Sequence, residues 1–205
     1  MLGLPKATEM NRLLPKKSIF GKFKPKPGDR QRFDAEIRRL AIVHELSPTT
    51  TNIAAGKSVN AFYVVLVSLK GTQCDKKNLL LLAKLIDQNM LFVLEHEGMA
   101  RLAVCRAGKV VQSDSKPLDE WDVRLAGLNL DAVWENLIVQ IGGVEIAEGK
   151  TLDEQLAIDE ERGKLLKKIE LLEKQARSEK QPRRKWDFVI QAKTLKEQLG
   201  VESND

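Results

Sequence analysis

Ala55-Gly56-Lys57-Ser58 has the ending of a phosphate-binding P-loop. Such a loop works because its glycines let backbone N–H groups approach phosphate between a strand and a helix. The glycine required five residues before Gly56 is Thr51, and the run that follows reads as a strand. No nucleotide site is expected. Glu95-His96-Glu97 sets three possible ligands side by side. Adjacent strand residues point to opposite faces, so the two carboxylates part company with the imidazole. The other histidine, His44, lies on an apolar strand face, and a metal would need further ligands from elsewhere. A solvated hairpin tip and a half-buried strand histidine are expected, with no metal.

Cys74 precedes a helix start, a place that lowers a thiol's pKa, but no histidine stands near it in sequence. Cys105 alternates with apolar residues, where a free cysteine acts as a small hydrophobe. Neither lies in a CxxC pair, which fits a reducing cytoplasm. No GxSxG or Ser/His/Asp order is present. A metal-dependent nuclease core needs an acid on one strand and an acid-x-lysine on the next. Asn60–Lys70 carries no carboxylate, and Glu45 has no such partner. No catalytic residue, cofactor or metal is therefore assigned.

What remains is charge. Residues 1–39 hold 11 Lys/Arg against 4 acids, while the whole chain is +5. Within that basic arm Lys16, Lys17, Lys22, Lys24 and Lys26 are candidate contacts for a polyanion or an acidic partner. A second cluster is Lys174, Arg177, Lys180, Arg183, Arg184 and Lys185, with Trp186 beside it. Lys and Arg dominate phosphate contact, and an aromatic offers a stacking face. The same residues also fit a solvated coiled-coil face with Trp186 packed between helices.

Prolines at 5, 15, 25 and 27 cut the arm into short pieces. Ala7–Leu14 and Lys16–Lys24 read as helical pieces, the latter anchored by Ile19, Phe20 and Phe23. Pro27–Glu36 reads as a short helix. Ile37–Leu46 alternates as a strand. Asn60–Lys70 is a β-branched and aromatic run of the kind buried on both faces of a central strand. Asp75 caps a helix through about Asp87, with Leu79, Leu82, Leu85 and Ile86 at helical spacing. Met90–Glu95, Ala100–Arg106 and Val110–Ser113 follow as strands. Leu130–Ile141 is a helix capped by Asn129 or Asp131, and Gly142-Gly143 ends it.

From Thr151 the pattern becomes heptad-like: Ile158, Arg162, Leu165, Ile169, Leu172 and Ala176, then, past Pro182, Phe188, Ala192, Leu195 and Leu199. The expected fold is α+β: a mostly antiparallel sheet with a helix on one face, then a C-terminal antiparallel helical hairpin of coiled-coil type, with one kinked helix pairing with another chain as the rival. The expected parts are a basic arm over 1–36, an α+β domain over 37–148 and a charged hairpin over 149–205. No apolar run is long enough to span a membrane.

Five stretches carry a family resemblance: Met1-Leu2-Gly3-Leu4-Pro5-Lys6, Leu14-Pro15-Lys16-Lys17, Leu46-Ser47-Pro48-Thr49-Thr50-Thr51-Asn52-Ile53, Gln88-Asn89-Met90-Leu91-Phe92-Val93-Leu94 and Leu128-Asn129-Leu130-Asp131-Ala132-Val133-Trp134-Glu135-Asn136. Together they resemble the bacterial and archaeal family known as domain of unknown function 4391. The resemblance implies a small component encoded beside SNF2-type or other helicases and DNA methyltransferases, in restriction-like or phage-defence islands. It supplies no catalytic residues. The expectation is a non-enzymatic adaptor that binds a helicase or methyltransferase partner, its basic arm and hairpin tip contacting that partner or DNA phosphates. A diverged nuclease-like subunit active only in its complex, or a self-associating structural protein, are the alternatives.

Overall fold

A computed structural model of the chain describes residues 2–86 and 88–200. The side chains of Phe23 and Leu85, an expected arm anchor and an expected core position, lie outside the described residues. So does Asp87, the expected helix end. Contacts divide the chain into two compact units, Met1–Val144 and Glu145–Asp205.

The first unit is built on a seven-stranded sheet in the order β1 (Glu9–Leu13), β2 (Ile37–Leu46), β3 (Phe62–Leu69), β4 (Asn89–His96), β5 (Met99–Arg106) and β6 (Lys109–Gln112). A short β7 (Lys116–Pro117) also pairs with β5. Every pairing is antiparallel except β3 with β4. That one is parallel because helix α4 (Lys76–Leu85) carries the chain back across the sheet, as a parallel pair requires. Asp75 caps α4, its carboxylate accepting the Lys77 N–H at 2.8 Å.

Alternation along β3 explains its unbroken apolar run. Val65, Val67 and Leu69 meet Leu79 and Leu82 of α4 in one cluster. Phe62 faces the other way, with its ring 5.1 Å from that of Trp134 on α5 (Leu130–Gly142). Helices thus cover both faces of the sheet, not one as the element order implied, and the central strands are buried on both sides.

The arm is part of this unit. Helices α1 (Lys16–Phe23) and α2 (Pro27–Glu36) bring Ile19, Phe20 and Phe33 into the same cluster as α4. Phe20 and Phe33 meet edge to face at 5.4 Å. Ala7–Leu14 is not helical: after one 3-10 turn, Glu9–Leu13 is a strand paired to β2. A piece this short, boxed between prolines, is a weak helix alone, and the open edge of β2 offers backbone partners. His44 of β2 is buried outright, where half-burial was expected. The Thr8 hydroxyl lies 2.6 Å from the Pro5 carbonyl and 2.9 Å from His44 Nδ1. One hydroxyl proton serves both contacts only if it goes to the carbonyl and Nδ1–H donates to the oxygen.

The second unit is an antiparallel pair, α6 (Leu152–Ser178) and α7 (Pro182–Gln198). Thr151 and Glu154 start α6 with a reciprocal capping box. Glu179 closes the turn: its carboxylate accepts the N–H groups of Lys180 and Gln181 at 2.8 and 3.0 Å. Pro182 begins α7, where a missing N–H does no harm. Ile169, Leu172, Ala176 and Ala192 are buried along the seam, and Phe188, Leu195 and Leu199 are half-buried. Lys196 pairs with Glu173 across the helices at 2.9 Å. Nearer the start of α6, Leu152 and Leu156 are buried, whereas Ile158 and Arg162 are exposed although the heptad continues through them.

Candidate interaction surface of the helical hairpin

The seam consumes one face of α7: Phe188, Ala192, Leu195 and Leu199, spaced by four and three. The remaining positions take whatever their own side chains bring to solvent. Arg183, Arg184 and Lys185 fall in the first turn, and Lys174, Arg177 and Lys180 lie on the end of α6 and in the connection. All six are exposed, and none forms an ion pair with a described residue. Over residues 174–193 there are seven Lys/Arg against Glu179 and Asp187. Glu179 is already bound to the backbone of the turn. The cations therefore repel one another with little internal compensation, and an anionic surface is what would relieve them.

Trp186 is 64% exposed, so it does not pack between the helices. Val189 and Ile190 are 42% and 46% exposed. These three stand at i, i+3 and i+4, hence on one face. Their spacing is legible in the sequence, but the same interval also marks core positions and does not tell an open face from a packed one.

The arm lysines divide. Lys16 is a structural residue: its ammonium pairs with Asp34 at 3.0 Å, donates to the Ile37 carbonyl and sits 5.9 Å from the Phe33 ring centre. Lys17, Lys22, Lys24 and Lys26 are exposed on α1 and at the start of α2. They belong to the first unit, and the tip cluster to the second.

The other constellations are committed locally. In the loop after α3 (Pro48–Thr51), the N–H groups of Lys57, Ser58 and Val59 converge on an anion, as the P-loop ending suggests, but the anion is the protein's own. Asp131 accepts from Lys57 at 2.7 Å, Ser58 at 3.1 Å and Val59 at 2.7 Å. Gly56 is needed for this, since a Cβ there would run into the Asp131 carboxylate and backbone. Desolvation raises the Asp131 pKa, but these three N–H groups and the Lys57 charge outweigh it and hold the carboxyl below its ordinary value. Asn129, not Asp131, caps α5, accepting the Ala132 N–H at 3.0 Å.

Glu95 accepts the Gly98 N–H at 3.2 Å and so closes its own hairpin. His96 lies 3.9 Å from Glu97 and nothing joins them into a metal-holding group among the described residues. Burial pushes the Cys74 thiol up to about 12, helped by Glu36 and Asp75, and burial pushes Cys105 up to about 11. Both are free thiols held protonated, opposite to what a nucleophile needs. A cleft of about 230 Å³ at the carboxyl ends of β3 and β4 is lined by Thr72, Cys74, His96 and Arg101, among others. There Arg101 is spent on the Thr72 carbonyl, 2.7 Å away. Among the described residues no helix is long and apolar enough to cross a membrane.

A family model described as "Domain of unknown function (DUF4391)" matches residues 2–199. No curated protein and no solved structure matches the chain.

Proposed function

The chain belongs to the DUF4391 family, and on that premise we propose that it is a non-enzymatic accessory subunit of a cytoplasmic DNA-processing complex. Its sheet unit docks on a helicase or DNA methyltransferase, the partners the family resemblance implies. Its hairpin tip contacts DNA phosphates. One observation carries this reading: six exposed cations, unpaired among the described residues, crowd one end of a two-helix arm where the Glu179 carboxylate is already bound to its own turn. The commitment of the loop N–H groups to Asp131 and the two protonated thiols support a binding role over a catalytic one.

The test is binding of the full chain to short single- and double-stranded DNA across a salt series. Each phosphate neutralised on duplex DNA adds about 0.9 to the slope of log affinity against log salt. Reversing Lys180, Arg183, Arg184 and Lys185 to Glu together should lower that slope by roughly 3–4. Reversing Lys17, Lys24 and Lys26 measures the arm's share in the same way. An unchanged slope after reversal at the tip would end the proposal.

A further inference from the structure

We propose that the outer face of α7, formed by Trp186, Val189 and Ile190, binds an acidic amphipathic helix of a protein partner. The inference rests on the adaptor reading, since a bridging subunit needs one surface for nucleic acid and another for protein.

The stripe has no role in the fold of the hairpin. Phe188, Ala192, Leu195 and Leu199 already supply the face that meets α6, and Ala192 is buried there. Trp186, Val189 and Ile190 point elsewhere and keep between 42% and 64% of their surface in water. Val and Ile are also poor choices for a solvated helix position, because branching at Cβ restricts their rotamers and lowers helix propensity relative to Ala, Lys or Glu. Two such residues beside a tryptophan weaken the free helix. Phosphate binding gives them no reason to be there, since it uses cations and flat aromatic faces. A helix laid in an apolar groove does give a reason, and reads anchors at i, i+3 and i+4. Tryptophan is among the side chains most enriched at the energetic centre of such contacts.

Charge selects the partner. Arg183 stands one turn before Trp186, and Lys193 one turn after Val189 and Ile190. Lys185 stands one turn before Val189. All three are exposed and in no ion pair with a described residue. Asp187 is the one carboxylate within that span, and Glu197 follows Lys193 by one turn. Lys196, on the seam side, is already taken by Glu173. An apolar stripe bordered by cations complements a helix with leucine-type anchors and glutamate or aspartate flanks. A second copy of this α7 would place cation against cation.

The probe is a synthetic peptide of three heptads, with Leu at the a and d positions and Glu at the flanking ones. Polyglutamate of equal charge and a short DNA duplex serve as comparisons. Trp186 is the most solvent-exposed of the protein's three tryptophans, so binding should shift its emission to the blue, and Trp186→Phe should abolish the shift. Val189→Ala with Ile190→Ala should weaken the peptide about tenfold or more while leaving duplex affinity unchanged. Alanine favours helix, so this variant keeps its fold. Circular dichroism checks that, and Val189→Glu with Ile190→Glu gives a harsher second variant.

No peptide binding, equal binding by polyglutamate, or full binding by the alanine pair would each overturn the proposal. Loss of duplex binding in that pair would make the stripe a nucleic-acid surface and overturn it as well. So would a wild-type dimer in light scattering that the alanine pair reduces to monomer, since the occupant would then be a second copy. Peptide binding without duplex binding would instead remove the phosphate reading of the tip and leave the stripe standing.

Discussion

Met1–Val144 and Glu145–Asp205 use their apolar residues differently. In the first unit both faces of a sheet are lined and both are covered, so Phe33, Phe62 and Phe92 show no exposure at all. In the second, the seam and the start of α6 at Leu152 and Leu156 are buried, and most of the remaining surface of two long helices meets water. The difference teaches where to look for function. Inside the sheet unit nearly every apolar residue is explained by folding. On the hairpin several apolar residues stand outside the seam and exposed, and of these Trp186, Val189 and Ile190 share one face of α7. The same holds for charge. Lys16 in the first unit is tied to Asp34 and a carbonyl, whereas the tip cations form no ion pair with a described residue.

The largest expected effect tests the first half of that contrast. Phe92→Ala should destabilise the protein by about 3–5 kcal/mol, the usual range for a buried Phe cut to Ala. Denaturant melts read this directly. A loss under about 1 kcal/mol would mean that β4 is not packed between two helical layers.

A smaller effect is expected at the buried polar pair that joins the 3-10 turn to β2. Thr8→Val leaves His44 Nδ1–H with no acceptor, a cost of about 1–3 kcal/mol. Burial lowers the His44 pKa below 6.5, opposed in part by Glu9. The unfolded chain therefore takes up the proton first. His44's share of stability is complete above pH 6.5 and is lost as pH falls through the lower folded value. Replacing His44 by Gln should flatten that part of the stability profile. If wild type and variant show the same slope there, the imidazole is not buried neutral.

Asp131 gives a local effect at lower pH. Its carboxyl is held below the ordinary 3.8, so its contribution is present above that value and fades as pH falls through the folded one. Amide protection at Lys57, Ser58 and Val59 should drop over that window. Asp131→Asn keeps one accepting oxygen and no charge, so its protection should be lower at neutral pH and independent of pH in the same range. Equal protection in both proteins would show that the loop is held by something other than the carboxylate.

Local signals were the readable ones. The Asp75 cap, the Thr151 and Glu154 box, the run from Phe62 to Leu69 and the hairpin around Glu97 each act within a few residues, and each stands where periodicity and capping place it. What escaped depends on partners far away in sequence. Glu9–Leu13 is a strand because of β2, more than twenty residues on. The anion for the Gly56-Lys57-Ser58 loop comes from the far side of the unit's sequence, at Asp131. Ile158 and Arg162 keep the heptad interval and yet lie exposed. At the tip, the residue types were legible and the direction of Trp186 was not, since a helical interval is the same whether a face is packed or open.

The smallest expected effect separates a functional stripe from ordinary surface. Leu171 on α6 is 55% exposed, comparable to the α7 residues, but its helical neighbours at 167, 168, 174 and 175 are Lys, Lys, Lys and Gln. A single exposed leucine is common on any protein surface. Leu171→Ala should change stability by less than about 0.5 kcal/mol and leave the heptad-peptide and duplex affinities where they were. If Leu171→Ala weakened the peptide as much as the Val189 and Ile190 pair does, exposure alone would predict binding and the grouping of Trp186, Val189 and Ile190 on one face would lose its meaning. Because Leu171 and the stripe share exposure and differ in apolar company, the pair of measurements isolates that company as the cause.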